Sequence, residues 1–359
     1  MYIGSEKTSS QANRLTGLAL IIGGFAWLIS LGVYVPLLRG YFFDHRVHLP
    51  ADLACFRDNG AWLGRHLASM AQAAAHTCTY KYPPPFLLLA APLSWGSAGQ
   101  DFAIWSASSV AALILAARLL RMSWNTVFLG LIAPPTLLCL SIGESGILLS
   151  SLLLLALGLA ETAPIAAGIA GGAMIVKPQL GLLLPVCYAA SRNWRAFLAA
   201  GVTVIVLCAL ATLLFGANIW ADYLHNGITA TRNTLAAPWP QRDQHIMVTP
   251  YIFLHSLGMG FAWASMAQIA VSLLAALVAW HLWRGPWRNT RLPATLCLAA
   301  LATPFACLYD LSALAMALAA EGCSVLFCFW IFSSFYLFVS AAFISVGAIC
   351  LGGLFWLLW

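Results

Sequence analysis

The stretch GCSVLFCFWIFSSFYLFVSAAFISVGAICLGGLFWLLW, residues 322–359, contains no charged side chain. A bilayer core requires about 20 apolar residues for each spanning helix, so this stretch is long enough for two crossings. The whole chain shares its character, because 62% of the 359 residues are apolar and only 8% are charged. Soluble domains are about half apolar and about a quarter charged. Since an open sheet cannot satisfy its backbone in lipid, the sequence predicts an all-α polytopic membrane protein.

Hydropathy divides the chain into eleven or twelve predicted membrane segments. Their approximate ranges are 15–38, 83–98, 101–120, 126–142, 145–161, 163–190, 195–216, 262–283, 293–309, 311–321, 323–338 and 340–358. Lys7 and Arg14 precede the first segment, which indicates a cytoplasmic tail over 1–14 and a retained anchor. We expect a membrane domain over 15–321 and a C-terminal transmembrane hairpin over 322–359. Two hydrophilic stretches, 39–82 and 217–260, then fall on the outer face when crossings alternate.

The distribution of arginine tests this count, because cytoplasmic loops carry an excess of basic residues. Arg192 and the arginines of 284–291 fall on the inner face as expected. Arg118 and Arg121 fall on the outer face. Either the Pro-rich segment 83–98 does not cross the membrane, or these two arginines lie outside for a functional reason such as pairing with a phosphate. We favour the functional reason, because the rest of the count then agrees.

Composition also excludes several classes of function. The net charge of +6 comes from basic residues scattered at segment ends, not clustered with exposed aromatics as a nucleic-acid groove requires. The sequence has no Walker motif, Gly-rich dinucleotide turn or G-x-S-x-G elbow, so any reaction would use a donor already dissolved in the membrane. Asp44, His45 and His48 are close in sequence, but their spacing is not diagnostic of a metal site. The sequence predicts no metal ligands and leaves a bound divalent cation open.

Cysteine usage leaves one question open. Eight of the ten cysteines lie in apolar segments, where this residue is commonly a small core side chain, and only Cys55 and Cys78 share the first hydrophilic stretch. They could form a disulfide in an oxidising compartment or remain two free thiols, and sequence alone does not settle pairing.

A predicted helix after the first membrane segment carries an isolated acid near its start. Pro50-Ala51-Asp52 has the acidic first turn of a helix N-terminus, and Asp52, Phe56 and Asn59 fall on one face. An acid at this position is a candidate functional group. Alternatively, it merely complements the helix dipole.

Three more ionisable residues interrupt apolar segments, where charge is costly and marks candidate functional sites. Glu144 lies between two glycines, and Lys177 lies with Gln179 inside the predicted segment 163–190, which Pro178 kinks or breaks. A structural Lys177–Glu144 ion pair is an equal alternative to a substrate role. Asp310 follows a proline break, and its alternative role is helix capping.

Aromatic and basic residues also collect where the two hydrophilic stretches meet the membrane. Tyr80, Lys81 and Tyr82 precede three prolines that fix the chain. Tyrosine can stack on a sugar and lysine can bind a phosphate, although an aromatic-basic membrane anchor needs neither. The second stretch offers Arg232, Arg242 and His245 to a phosphate, since guanidinium binds phosphate bidentately.

Four elements, in this order, resemble a known family. They are Asp52-Leu-Ala-Cys-Phe56, then Tyr82-Pro-Pro-Pro-Phe86, then Lys177-Pro-Gln179, and last Thr303-Pro-Phe305 through Tyr309-Asp310. Their order is similar to that in glycosyltransferase family 87, whose members are polyprenyl-phosphate-sugar-dependent enzymes of the GT-C class. The chain departs from the family pattern at one place, because the family commonly has Gly-Gln followed by Asn where this chain has Gly143, Glu144 and Ser145. A polar contact there becomes acidic, which bears on donor or acceptor identity.

The resemblance implies a GT-C-type bundle whose active site lies on the outer face, formed by the first outer loop and roofed by the second. It implies inverting transfer of a sugar, mannose or arabinose, from a polyprenyl monophosphate to a lipid-linked or glycan acceptor, within the inner membrane and its lipids. The essential acid of the family corresponds to Asp52, which would act as general base. Candidate ligands of the donor phosphate are Arg65, Lys81, Arg232, Arg242, His245 and Lys177. Candidate substrate-binding residues are Tyr80, Tyr82, Glu144, Gln179 and Asp310.

Two other functions remain as alternatives. A transporter or flippase of a lipid-linked saccharide would also need broken helices and scattered charges, but its site would lie near the middle of the membrane. The densest polar segments are instead the two outer loops, which favours the enzyme. A non-catalytic scaffold in a cell-envelope complex is the third alternative.

Overall fold

The computed structural model describes residues 50–66, 81–241, 243–286 and 290–321, together with positions 21, 24, 25, 28, 29 and 32 of the first apolar segment. Over these ranges the chain is helical, and its only strand-like pairing is an isolated bridge between Met247 and Cys307. The predicted fold class, an all-α polytopic membrane protein, is confirmed. The predicted C-terminal hairpin and most of the first span lie outside the described residues.

The described ranges contain fifteen helices, some of them continuing one another through short 3-10 or π turns, and separate 3-10 turns at Asp243–Ile246 and Leu308–Leu311. The helices are α1 (Ala51–His66), α2 (Pro84–Ser94), α3 (Ala98–Leu119), α4 (Trp124–Leu131), α5 (Pro134–Ile142), α6 (Gly146–Gly158), α7 (Pro164–Val176), α8 (Pro178–Ala190), α9 (Trp194–Phe215), α10 (Asn218–Asp222), α11 (Ile228–Ala236), α12 (Pro250–Ser256), α13 (Phe261–Arg284), α14 (Arg291–Leu301) and α15 (Ser312–Glu321).

Three of the described helices, α3, α9 and α13, are long and apolar enough to cross a membrane, and the pair α4 and α5, bent by 52°, could serve as a fourth crossing. The other apolar helices are shorter. At 1.5 Å per residue, the 13 residues of α6 span only about 20 Å, against a hydrocarbon core of about 30 Å. The described part of the chain therefore has fewer full-length crossings than the hydropathy count predicted.

Two segments that were predicted to be single membrane-spanning helices consist instead of shorter helices. The 11 residues of α2 fall in three short pieces, 3-10, α and 3-10, because Pro84, Pro85 and Pro92 interrupt the helical hydrogen bonds. The predicted segment 163–190 is an antiparallel hairpin of α7 and α8. Tyr188 on α8 donates to the carbonyl of Ala167 on α7 at 3.0 Å, and the chain turns at Lys177-Pro178.

The arginine-bearing connections meet at one end of the bundle. The Leu120 side chain touches Gly158, the Asn193 amide donates to the carbonyl of Ala160, and Arg291 Nη1 pairs with Glu161 Oε1 at 2.7 Å. These contacts join the connections α3–α4, α6–α7, α8–α9 and α13–α14. Their arginines are 118, 121, 192, 195, 284 and 291. The opposite end carries α1, the α7–α8 turn and the second hydrophilic stretch.

This arrangement corrects the expectation that Arg118 and Arg121 lie apart from the other arginines. With α2 too short to cross and α7–α8 folded back on itself, both residues belong to the same end as Arg192 and Arg291. Arg118 has a local role there, because it donates to the carbonyl of Met122 and lies 4.6 Å from the centre of the Trp124 ring.

Helix α9 is held to the bundle through glycines of α7. A side chain at Gly168 or Gly172 would collide with the carbonyl oxygens of Ala196 or Ala200, which lie 2.3 Å and 2.5 Å from an added Cβ. Gly168 and Gly172 are four residues apart and so lie on one face of α7, which lets the two backbones approach closely, as small residues do in membrane helices. Only Ala196 and Ala211 of α9 are buried, and its other residues are exposed or partly exposed, as a lipid-facing helix requires.

We predict that Gly172→Ala lowers the thermal stability of the detergent-solubilised protein, because overpacking costs about 1–3 kcal/mol. Gly201→Ala on α9 is the matched control, since nothing lies within 4 Å of its added Cβ. It should leave stability unchanged or raise it by up to about 1 kcal/mol through helix propensity. Equal effects of the two substitutions would contradict the proposed close packing of α7 against α9.

Candidate functional site

A cavity of about 460 Å³ lies at the end of the bundle opposite the arginines. Its lining comes from α1, residues 81–83 before α2, α5 with the α5–α6 connection, the α7–α8 turn, the second hydrophilic stretch and the segment before α15. Among the lining residues are Asp52, Tyr82, Glu144, Lys177 and Gln179. With Lys81, which also lines the cavity, the structure brings six of the candidate site residues to one place, although they are widely separated in the chain.

Helix α1 presents Asp52 to the cavity from its first turn. Leu53 is fully buried and faces Gly143, where an added Cβ would lie 2.7 Å from the leucine Cβ. This close packing fixes the start of α1 against the α5–α6 connection. Asp52 is partly exposed and shares the cavity wall with Phe56 one helical turn later.

The cysteine of α1 is oxidised. Cys55 is disulfide-bonded, whereas the other described cysteines, at positions 139, 187, 208, 297 and 307, are free. Cys78, the other cysteine of the first hydrophilic stretch, lies outside the described residues. The sequence left open whether Cys55 forms a disulfide or is a free thiol, and in the structure it forms a disulfide.

Glu144 is positioned by the left-handed glycine before it. Gly143, at φ +70°, ends α5 with the paired hydrogen bonds of a Schellman cap, from Gly143 N to Leu140 O and from Glu144 N to Cys139 O. The Glu144 carboxylate is almost buried. Its Oε1 accepts from the Tyr82 hydroxyl, and its Oε2 accepts from both the backbone N–H and the hydroxyl of Ser145.

Tyr82 keeps its proton in this environment. Burial raises the pKa of Tyr82 well above its ordinary value, and the negative charges of Glu144 and Asp52 raise it further. Its ring stacks on Phe86 at 4.1 Å between centroids and meets Phe56 edge-on at 5.3 Å. The neutral phenol is therefore fixed by hydrogen bonding at one end and by ring packing at the other.

Lys177 forms its ion pair with Asp310, which corrects the Lys177–Glu144 pair considered from sequence. The distance from Lys177 Nζ to Asp310 Oδ1 is 2.7 Å, and both side chains are buried. Asp310 Oδ2 also accepts from the Cys307 N–H at 3.0 Å, so the capping role considered for this acid is present as well. The Tyr309 and Tyr82 rings lie 4.9 Å and 5.9 Å from the ammonium.

The second hydrophilic stretch roofs the cavity and is attached to it at two places. Val248 N donates to Ala306 O at 3.0 Å, beside the Met247–Cys307 bridge. At the entrance, Lys81 Nζ pairs with Asp243 Oδ2 at 2.9 Å, with the two side chains 21% and 54% exposed. The second attachment is therefore the more solvated and the easier to open.

Other candidate residues lie outside the cavity wall. Arg232 is exposed over the Phe261 ring, and His245 is exposed beside Trp239. Tyr80, Arg242 and the side chain of Arg65 lie outside the described residues. Within the described ranges, no three His, Cys, Asp or Glu side chains come together as metal ligands would.

Two polar residues of the cavity wall, Asp243 and Tyr309, were given no site role from the sequence. Asp243 looked like one polar residue among many in a loop, and no signal in the chain pointed to its pairing with Lys81. Tyr309 could have been found, because it directly precedes the isolated acid Asp310 in an apolar segment.

We predict that Lys177→Met lowers the free energy of unfolding by about 3–5 kcal/mol, because it leaves Asp310 buried without its counter-charge. The double variant Lys177→Met with Asp310→Asn should recover at least half of the loss, since asparagine is neutral and can still accept from the Cys307 N–H. Lys81→Met is the matched control at the exposed pair and should cost less than about 1 kcal/mol. A Lys177→Met protein as stable as wild type in a thermal unfolding assay would contradict the role given to this ion pair.

Comparison with known proteins identifies the family. The sequence model of glycosyltransferase family 87 matches residues 80–310, which include Tyr82, Glu144, Lys177, Gln179 and Asp310. Comparisons with curated proteins and with solved structures give no significant match. The matched region covers more than half of the chain and contains most of the cavity wall. The chain belongs to glycosyltransferase family 87 and is a membrane glycosyltransferase.

Proposed function

We propose that this protein transfers a sugar from a polyprenyl monophosphate to an extracytoplasmic lipid or glycan acceptor, with inversion at the anomeric carbon and Asp52 as general base. The acceptor hydroxyl oxygen bonds to the anomeric carbon while the bond from that carbon to the phosphate oxygen breaks. Asp52 takes the hydroxyl proton, and the polyprenyl phosphate leaves with the bonding electron pair. A phosphate leaves without protonation, so one carboxylate suffices. Mannose and arabinose are the sugars that the family resemblance favours.

The observation that carries this proposal is the position of Asp52. It lines the same cavity as Tyr82, Glu144 and Lys177, which lie within the region matched by the family. Asp52 lies on the first turn of α1 and is partly exposed to the cavity, as a base that meets an incoming hydroxyl must be.

Lys81 is the better-placed cation for the donor phosphate. Its pair with Asp243 is partly solvated, and such pairs contribute about 0–1 kcal/mol, so a phosphate can replace the aspartate at little cost. Lys177 is buried with Asp310, and separating that pair would leave a buried acid unpaired. We therefore assign direct phosphate contact to Lys81 and a structural role to Lys177.

The two ends of the bundle support an outward-facing cavity. Of the arginines whose side chains are described, 118, 121, 192, 195, 284 and 291 lie at the end opposite the cavity and only Arg57 and Arg232 at the cavity end, and an excess of basic residues at membrane-helix ends favours the cytoplasm. The cavity end then faces the periplasmic side of the inner membrane. The disulfide at Cys55, beside the cavity, is consistent with that side, because disulfides persist in oxidising compartments.

We predict that Asp52→Asn lowers kcat about 10²- to 10⁴-fold, as expected when a general base is removed. Purified protein would be given a radiolabelled polyprenyl-phosphate sugar, mannose or arabinose, and a panel of lipid and glycan acceptors. Asp58→Asn is the matched control, since Asp58 lies on the same helix and is exposed. Equal turnover by the Asp52→Asn and wild-type proteins would remove Asp52 from the mechanism.

A second prediction concerns Lys81 and Asp243 at the cavity entrance, whose substitution should change KM for the donor in different ways. Lys81→Met should raise KM for the donor about 10- to 100-fold, in line with losing a hydrogen bond to a charged group, and Lys81→Arg should retain most of the affinity. Asp243→Asn should leave KM unchanged or lower it, because it releases Lys81. If Asp243→Asn raises KM as much as Lys81→Met, the pair matters for its geometry and Lys81 is not the phosphate ligand.

A further inference from the structure

The floor of the cavity, formed by Tyr82, Glu144 and Ser145, has an unusual hydrogen-bond arrangement. Three donors converge on the Glu144 carboxylate, namely the Tyr82 hydroxyl, the Ser145 N–H and the Ser145 hydroxyl. An ionised carboxylate only accepts hydrogen bonds and has about four lone-pair sites. The three donors therefore match the ionised form and leave one acceptor site. Both Glu144 and Tyr82 line the cavity.

The hydroxyl of Tyr82 is oriented by this arrangement. A tyrosine O–H has one proton to donate, and here that proton points to Glu144. The Tyr82 hydroxyl therefore presents no proton to the cavity. The two floor groups that line the cavity, the phenol and the carboxylate, offer a ligand no hydrogen-bond donor.

We propose that Glu144 sets the hydrogen-bond polarity of the cavity floor, so that the floor selects a sugar unit by a group that donates a hydrogen bond. The inference rests on the proposed function for the identity of the ligand and adds a specificity-determining residue to it. A hydroxyl that donates to the floor satisfies it, and an ammonium group does so equally well. A group that only accepts leaves buried acceptors unpaired, which sites of this kind penalise strongly.

Glutamine at position 144 would reverse this polarity without changing the shape of the side chain. Its carbonyl oxygen would accept from the Ser145 N–H and hydroxyl, so its amide N–H would face Tyr82. The phenol oxygen would accept from that amide, and the tyrosine proton would turn into the cavity. The floor would then donate and would favour a ligand group that accepts.

The test measures binding to purified wild-type protein of polyprenyl-phosphate mannose and arabinose in which each ring hydroxyl in turn is replaced by fluorine or by an amino group. At the ring position that contacts the floor, the wild type should bind the amino analogue at least as well as the parent sugar. It should bind the fluoro analogue about 10- to 100-fold more weakly than the parent. These donor analogues form the first arm of the test, and the same replacements on a methyl glycoside, offered as acceptor, form the second arm. The arm that shows this order identifies which sugar unit contacts the floor.

Variants make the test specific to Glu144. In Glu144→Gln the order should invert, with the fluoro analogue bound better than the amino analogue. Tyr82→Phe should keep the wild-type order, because the carboxylate still only accepts. Asp58→Asn on the exposed face of α1 should also keep it. The wild-type series stands by itself as a test if Glu144→Gln does not fold.

The outcomes separate the inference from the function on which it rests. If the order appears in binding but no sugar is transferred, the floor polarity stands and the proposed reaction fails. If sugar is transferred but no ring position shows the order in either arm, or if Glu144→Gln keeps it, the inference is overturned. If no analogue or parent sugar binds, both are overturned.

Discussion

The buried ion pair between Lys177 and Asp310 is the contact on which the cavity depends. It joins the tip of the α7–α8 hairpin to the segment before α15, at the two places where proline interrupts the helices. Two opposite charges in an apolar bundle are tolerated only when each is paired and its remaining hydrogen bonds are made. The second oxygen of Asp310 meets that condition through the Cys307 N–H. The pair thus fixes two broken helices against each other and leaves space beneath the roof between them.

The arrangement of the helix ends explains why a simple hydropathy count contained two errors that largely hid each other. One predicted crossing, 83–98, is too short and broken, and another, 163–190, folds back on itself. Each error reverses the side assigned to everything that follows, so the two cancel after residue 190. Only Arg118 and Arg121, which lie between the errors, contradicted the count. Hydropathy measures apolar length, and it cannot distinguish a continuous helix from a hairpin of equal length.

The sequence identified much of the site by residue type but not by pairing. Isolated charges in apolar segments are costly, and that rule alone selected Glu144, Lys177 and Asp310. It could not choose the partner of Lys177, since both acids follow helix breaks and the choice depends on tertiary packing. In the outer loops, polar residues are common, so residue type does not distinguish site residues from others. There, residue type selected Arg232 and His245, which lie outside the cavity wall, and passed over Asp243, which lines it.

The turn that carries Glu144 has a consequence for how this protein could diversify. Gly143 has a left-handed backbone facing Leu53, and a side chain at Gly146 would lie 2.2 Å from the carbonyl oxygen of Tyr309. Both glycines are therefore sterically fixed, whereas the two residues between them, Glu144 and Ser145, can change side chain without that constraint. If Glu144 has the role proposed above, a single codon change there would alter what the pocket recognises while the backbone stays in place. New substrate preferences could then evolve in this scaffold without rebuilding the bundle.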